Sequence, residues 1–319
     1  MLSTIVILIV AVVLITKKKK TTEIESNEIV IGYPTLRIAL PVFVAQEMGY
    51  FKEQELNISL KSYETAQPMM DALVSGKINI GGFCALPITF GAMARSKTPL
   101  LFFGGMYEND KHPISILIVK DSLKIKTIKD LEGKRIGILP TRAYEVWLQQ
   151  ILISNDIDPN NVIIRQVAPN LQADAISSGS VDALFTNDPA ATITLSLGLG
   201  VPFSSEALVP KFSGFNPFYF GSFNIRKDYA EAHPDIVKKI AIALDKAMVY
   251  INQNPDEAKL AMKKYLPEPH QKFVVNFPNA FYKTCSEVSN KDLESMKNYY
   301  LNLQVLPMDI DIINLQYNY

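Results

Sequence analysis

Two arginines in different halves of the chain are the residues best suited to binding chemistry. Arg37 follows the apolar run Ile29–Tyr33, and Arg142 follows a second apolar run, Lys134–Leu139. Only six of the 32 basic residues are arginine, so two on such loops are unusual. A guanidinium group forms paired hydrogen bonds with sulfonate, nitrate or carboxylate oxygens. The pattern therefore predicts an anion held between two arginines, although solvated surface arginines would give the same sequence.

Other candidates share this placement directly after a predicted strand. Thr141 is expected to cap a helix beginning at Arg142, and the N–H groups at such a helix start attract anions. Asp188 precedes Pro189, which also suits an ordinary helix start. The predicted ligand-binding residues are Thr35, Leu36, Arg37, Thr65, Cys84, Ala85, Thr141, Arg142, Tyr144, Asn187 and Asp188.

Catalytic and metal-binding patterns are not evident. The three histidines, His112, His233 and His270, are far apart, and none falls on a loop that ends a predicted strand. Cys84 and Cys285 have neither zinc-site nor disulfide-framework spacing. No dinucleotide-binding glycine motif follows Gly81–Gly82. The sequence thus predicts a protein that is not an enzyme, with no catalytic residue, no metal and no cofactor.

The candidate loops require strands that lie side by side. Ile29–Tyr33, Asn57–Tyr63 and Ile78–Phe83 read as strands with helices between them, a spacing that favours parallel pairing. Ligands of such sheets bind beyond the carboxyl ends of the strands. A second series of alternating strands and helices begins at Lys134–Leu139. The aromatic stretch Phe212–Phe223 is predicted to be a strand, and Glu108 is expected on a solvated loop.

Two passages between the series predict two lobes with a cleft between them. The chain would cross near Ile114–Val119 and return near Phe218–Ile225. We predict an α/β protein with residues 28–117 plus 220–319 in lobe 1 and residues 118–219 in lobe 2. The equal numbers of basic and acidic residues, 32 each, argue against binding to nucleic acid.

The first 27 residues are predicted to be an export signal or a short membrane anchor. Ile5–Ile15 is an apolar run of export-signal length, shorter than the ~20 residues of a spanning helix. Lys17–Lys20 follows it, and no basic residue precedes it, which reverses the usual charge bias. We expect an exported protein on the periplasmic or extracellular face, with residues 2–16 as a potential anchor.

Several segments together resemble the substrate-binding proteins of ABC importers for nitrate, sulfonates, taurine and thiamine-pyrimidine precursors. They are LPVFVAQEMGYFKEQELNISL and ALVSGKINIGG in lobe 1, IKDLEGKRIGI and AISSGSVDALFTNDPA in lobe 2, and RKDYAEAHPDIVKKI after the chain has returned to lobe 1. The resemblance implies the two-lobed type II periplasmic-binding-protein fold, with parallel-sheet lobes joined by two crossing strands. It also implies a monomer that binds a small anionic or heteroaromatic solute and serves a permease and an ATPase. The chain departs from the family pattern at Glu55, where glycine is common, and at Thr65–Gln67 and Phe83–Cys84 beside the cleft.

Two alternatives stay open on the sequence. The same scaffold carries cytosolic enzymes of thiamine-pyrimidine synthesis and dehydratases of quinone synthesis, which need catalytic side chains in the cleft. A sensory binding protein without a transporter is the other alternative.

Overall fold

The computed structural model describes residues 28–319, so the predicted signal or anchor of residues 1–27 lies outside the described residues. Eleven strands are described in this range. They are β1 (Glu28–Pro34), β2 (Asn57–Tyr63), β3 (Ile80–Ala85), β4 (Leu100–Glu108), β5 (Ile116–Val119), β6 (Arg135–Ile138), β7 (Ile163–Gln166), β8 (Ala183–Thr186), β9 (Val201–Pro202), β10 (Phe218–Arg226) and β11 (Tyr282–Lys283).

The strands form two sheets, as expected for a two-lobed α/β protein. The first has the order β11-β4-β10-β3-β1-β2, and β1 pairs in parallel with both β2 and β3. The second has the order β7-β6-β8-β5-β9, and β6 pairs in parallel with both β7 and β8. Each sheet also has antiparallel pairs. In the first sheet β10 pairs with β3 and β4, and in the second β5 pairs with β8.

Twelve α-helices accompany the strands over residues 28–319, together with short 3-10 segments. They are α1 (Leu40–Glu47), α2 (Tyr50–Glu53), α3 (Ala66–Val74), α4 (Leu86–Ser96), α5 (Arg142–Ile153), α6 (Gln172–Ser177), α7 (Ala190–Ser196), α8 (Leu208–Ser213), α9 (Lys227–Ala232), α10 (Pro234–Gln253), α11 (Pro255–Ala258) and α12 (Asn290–Asn302).

The helix α10 illustrates how apolar spacing fixes packing. Its residues Val237, Ile240, Leu244, Met248 and Ile251 recur at three- and four-residue steps and are all buried. The opposite face carries lysines that pair with glutamates of the α1–α2 region. Lys246, for example, bonds Glu53 at 2.5 Å. The helix therefore covers the first sheet with one stripe and meets solvent with the other.

The chain passes twice between the sheets. The first passage is residues 109–115, between β4 and β5; the second is residues 214–217, which lead from α8 into β10.

Two predictions made from the sequence are wrong in detail here. Phe212 lies in the helix α8, so only the second part of the aromatic stretch is a strand. Glu108 is fully buried instead of lying on a solvated loop.

The pairing of β5 with β8 indicates where one lobe ends and the other begins. A boundary at residue 117 would cut through β5, all four residues of which pair with β8. We therefore propose that lobe 1 is residues 28–108 plus 218–319 and that lobe 2 is residues 116–213, with the two passages between them. Within residues 28–319, no helix combines the length and the apolar character needed to cross a bilayer.

Candidate functional site

A small cavity lies where the carboxyl ends of the strands from both sheets meet. Its volume is about 20 Å³, which is room for about one water molecule. Both lobes contribute to its lining. The lining residues are Leu36, Ile38, Thr65, Ala66, Ala85, Ile88 and Phe220 from lobe 1, and Leu139, Thr141, Ala143, Tyr144 and Asn187 from lobe 2.

Three helices begin at this cavity. The residues that precede α3, α4 and α5 are Thr65, Ala85 and Thr141, and all three line it. The first N–H groups of a helix have no partner within the helix and carry partial positive charge. Thr141 accepts one such bond, from the N–H of Tyr144 at 3.5 Å. Two helix starts of lobe 1 and one of lobe 2 therefore surround the cavity, and its accessible surface is apolar.

Six of the eleven predicted residues line the cavity: Leu36, Thr65, Ala85, Thr141, Tyr144 and Asn187. Each lies at or just after the carboxyl end of a strand, or in the helix start that follows it. The side chain of Tyr144 is buried, and its hydroxyl has no hydrogen-bond partner; the same is true of Asn187 Oδ1. Buried polar atoms of this kind are candidates to be satisfied by a solute.

Three other predicted residues lie outside the lining. The hydroxyl of Thr35 pairs with that of Ser62 at 2.9 Å. Cys84 is fully buried in β3, where desolvation raises the pKa of its thiol to about 12. Arg142 is half exposed and pairs with Glu145 one turn along α5, at 2.9 Å. In this conformation none of the three is placed to contact a solute in the cavity.

Arg37 and Asp188 form an ion pair beside the cavity instead of lining it. Arg37 Nε donates to Asp188 Oδ2 at 3.0 Å, and the exposed side-chain fractions are 2% and 0%. The guanidinium also donates to the carbonyl oxygens of Pro113 at 2.6 Å and Pro278 at 3.2 Å. The other carboxylate oxygen, Asp188 Oδ1, accepts from the N–H and hydroxyl of Thr192. This geometry weighs against the predicted pair of anion-binding arginines.

A buried acid lies close to the same cluster. Glu108 Oε1 accepts from the N–H groups of Ile114 at 3.0 Å and Ser115 at 2.7 Å, at the end of the first passage. Its other oxygen has no partner. Desolvation raises the pKa of Glu108 from 4.5 to about 7, although the two N–H groups and nearby Arg37 lower it in part.

Sequence reasoning missed six lining residues: Ile38, Ala66, Ile88, Leu139, Ala143 and Phe220. Ala66, Ile88 and Ala143 lie in the first turn of a helix that follows a candidate loop, so the helix starts could have revealed them. Phe220 lies in β10 and reaches the cavity from the middle of the first sheet. Only the sheet order, which is not evident from one sequence, would have placed it there.

The lining carries no charged side chain. Tyr144 is its one titratable residue, and desolvation raises the pKa of that hydroxyl well above its usual value of 10. None of the three histidines lines it. Among residues 28–319, no three metal-ligating side chains lie close enough to hold an ion. In this conformation the accessible surface of the cavity is apolar, and the polar atoms of Tyr144 and Asn187 lie buried behind it.

Two sheets linked by two passages, with a cavity at their facing strand ends, define a two-lobed α/β fold of the periplasmic-binding-protein type. The periplasmic aliphatic sulphonate binding protein SsuA from Escherichia coli has this fold; its structure matches with a TM-score of 0.70 at 18% identity, covering 89% of this chain and 95% of that one. The family model described as NMT1/THI5 like matches residues 39–258. The chain belongs to the NMT1/THI5-like family.

Curated relatives fall into two kinds. The taurine-binding periplasmic protein of Escherichia coli (strain K12) is 26% identical over 230 residues, which are 72% of this chain and 68% of that protein. A 4-amino-5-hydroxymethyl-2-methylpyrimidine phosphate synthase of Schizosaccharomyces pombe is 22% identical over 288 residues, 85% of this chain and 80% of that protein. The family thus includes both binding proteins and enzymes.

Proposed function

We propose that this protein is the extracytoplasmic solute-binding component of an ABC import system. It captures a small solute between its lobes and delivers it to a permease that is powered by separate ATPase subunits. Family membership and the similarity to binding proteins for taurine and sulphonate support this proposal. We further propose that it acts as an exported monomer, with residues 1–27 as its signal or anchor.

The observation that carries the proposal is a cavity that is lined by both lobes and has room for about one water molecule. A sulfonate or a heteroaromatic ring is larger than this, so a solute must enter while the lobes are apart. Contacts with both lobes then favour closure, because a ligand shifts the population toward the state that it binds better. Capture by hinged closure is the function that this geometry suits.

The solute is proposed to be a small anion such as a sulfonate or nitrate, or a flat heteroaromatic molecule. Three helix starts and the hydroxyls of Thr65 and Thr141 would donate to its acceptor atoms, while Tyr144 and Asn187 would supply the buried polar contacts. Leu36, Ile88 and Phe220 would pack against its apolar part. Helix N–H groups would provide the positive potential, because Arg37 and Arg142 are paired with Asp188 and Glu145.

An enzyme on the same scaffold is the second candidate, because the sequence similarity to a synthase extends over 85% of this chain. Such a reaction needs a group that can move a proton near neutral pH. The one titratable residue of the lining is Tyr144, whose raised pKa keeps it neutral there. Glu108, whose pKa is raised to about 7, lies outside the lining, so the lining itself favours the binding protein.

Mass spectrometry of the protein isolated under native conditions tests the proposal. We expect one small solute to be released unchanged on unfolding, and the refolded protein to rebind it with one site per chain. Release of a chemically altered molecule, or turnover of the bound solute on incubation, would favour the enzyme instead.

A further inference from the structure

The buried ion pair of Arg37 and Asp188 joins the two lobes. Arg37 lies in the turn after β1 of the first sheet, and Asp188 follows β8 of the second. The backbone reinforces the side-chain contact, since the N–H of Arg37 donates to the carbonyl of Asp188 at 3.0 Å. The guanidinium also contacts the carbonyl of Pro113, within the first passage. One side chain therefore touches both lobes and the segment about which they would rotate.

This pair is separate from the proposed solute contacts. Neither residue lines the cavity, whereas their chain neighbours Leu36, Ile38 and Asn187 do. Both oxygens of Asp188 are already bonded, one by Arg37 and the other by Thr192. The guanidinium donates to Asp188 and to three backbone carbonyls, those of Pro113, Pro278 and Asn279. The pair is thus satisfied without a solute.

We propose that Arg37 and Asp188 form an interlobe latch that stabilises the closed state before any solute binds. The two latch residues do not touch the solute. They are positioning residues that raise the affinity for the solute by favouring the closed state. The affinity part of this inference rests on the proposed function; the effect on lobe closure does not.

Electrostatics explains why the pair should act as a unit. When the lobes are closed, the charges of Arg37 and Asp188 are shielded from water. When the lobes open, the two residues separate and become solvated, because they follow β1 and β8, which belong to different sheets. Removing one partner leaves the other charge buried and unpaired, a large penalty that falls on the closed state alone. Removing both charges leaves no such penalty, so an apolar pair should close again. The apparent affinity falls with the fraction of molecules in the binding-competent state.

The test measures lobe separation in solute-free protein that has been unfolded, dialysed and refolded. Spin labels are attached through Glu64→Cys and Asn170→Cys, exposed positions after β2 and β7, the outer strands of the two sheets. Native Cys84 and Cys285 are both buried, which directs labelling to the new sites. Double electron–electron resonance then gives the distance distribution between the labels.

We expect a short distance in the otherwise unchanged protein and a longer one in Arg37→Met and in Asp188→Asn. Arg37→Met combined with Asp188→Leu should restore the short distance. Affinity for the co-purified solute should fall ~10–100-fold in the single variants and recover in the double variant. Arg135→Met, which breaks an Arg–Asp pair that lies wholly within lobe 2 and away from the cavity lining, is the matched control and should change neither distance nor affinity.

A folded single variant that keeps the short distance would overturn the latch, as would a double variant as open as the single ones. Near-ultraviolet circular dichroism reports folding, and Asp188→Asn, which changes least in shape, serves if Arg37→Met does not fold. Failure to find any solute would count against the proposed function and leave the distance result valid. A changed distance with unchanged affinity would retain the conformational latch and exclude its role in affinity.

Discussion

The hydroxyl of Tyr144 is buried beside the cavity, next to the side chains of Ser115 and Asn187, and forms no hydrogen bond of normal geometry with either. A buried polar group without a partner costs about 1–3 kcal/mol, and a solute that bonds it recovers part of that cost. This hydroxyl should therefore lower the stability of the solute-free protein and raise its affinity for the solute. Stability and affinity are expected to move in opposite directions at this one residue.

We predict that Tyr144→Phe raises the free energy of unfolding of the solute-free protein by up to about 1 kcal/mol and weakens solute binding about 5–10-fold. Urea unfolding and titration calorimetry measure the two quantities. Tyr300→Phe is the matched control, because Tyr300 also has a buried hydroxyl without a partner but does not line the cavity. It should leave affinity unchanged. Unaltered affinity in Tyr144→Phe would remove this residue from the site.

Glu108 predicts a pH dependence of stability. Its folded pKa is about 7 and its ordinary value is 4.5, so the folded state binds the proton more tightly than the unfolded state. The contribution is fully present below pH 4.5 and is lost as pH rises through 7, and each tenfold difference in proton affinity corresponds to about 1.4 kcal/mol. Glu108→Gln keeps the oxygen that accepts from Ile114 and Ser115 but does not ionise. We expect its free energy of unfolding to fall less between pH 5 and 8 than that of the unchanged protein, by about 1–3 kcal/mol. Equal falls in urea unfolding would contradict this assignment.

At the level of single residues, the sequence identified loops more reliably than side-chain directions. Thr65, Thr141 and Asn187 were found because a parallel strand delivers the residue after it to a known edge of the sheet. Arg37 was placed on the right loop, yet its long side chain turns toward Asp188, which is 151 positions away. Such a partner depends on how two lobes pack, and no local pattern encodes it.

The elements nearest the cavity are held by close backbone contact. Gly221 lies in β10 beside β3, and a Cβ there would overlap the carbonyl oxygen of Cys84. Its neighbours Phe220 and Ala85 both line the cavity. Any widening of the β3–β10 pair would therefore displace two lining residues.

We predict that Gly221→Ala lowers the free energy of unfolding by about 1–3 kcal/mol, because backbone atoms rather than flexible side-chain ends block the added carbon. Gly91→Ala is the control: it lies within α4, and the added carbon meets only the movable end of Arg95. That substitution should be neutral or stabilising by up to about 1 kcal/mol, from helix propensity. A Gly221→Ala protein as stable as Gly91→Ala in urea unfolding would refute the argument.

Periodic segments and turn residues predicted most elements near their observed bounds. Asn57–Tyr63 was predicted as a strand with the bounds of β2, and the helix predicted from Arg142 begins there. Glu55 has a φ of 57°, in the left-handed region that favours glycine, which is the residue that the family resemblance implies at this position. The two-residue strands β9 and β11 were missed because they are too short to show alternation and depend on pairing with β5 and β4.

For the molecule as a whole, the predicted export segment can be separated from the solute-binding body. Glu28 begins β1, and the described fold is built from residues 28–319. We predict that a chain beginning at Glu28 binds the solute as the full chain does but stays in the cytoplasm, whereas the full chain reaches the cell exterior or the membrane. Fractionation and calorimetry of both chains check this. Equal distribution of the two between fractions would argue against an export role for residues 1–27.

The position of β10 has a consequence for how the protein is made. This strand joins β4 to β3, so before it emerges the first sheet consists of two unconnected parts, β4 alone and β2-β1-β3. A ribosome adds ~5–20 residues per second, and β10 ends at Arg226, so β10 is complete only after roughly 10–45 s of synthesis. The strands of lobe 2, from β5 to β9, are contiguous in sequence and can pair earlier. Translation order thus delays completion of the first sheet until after the strands of lobe 2 have been made.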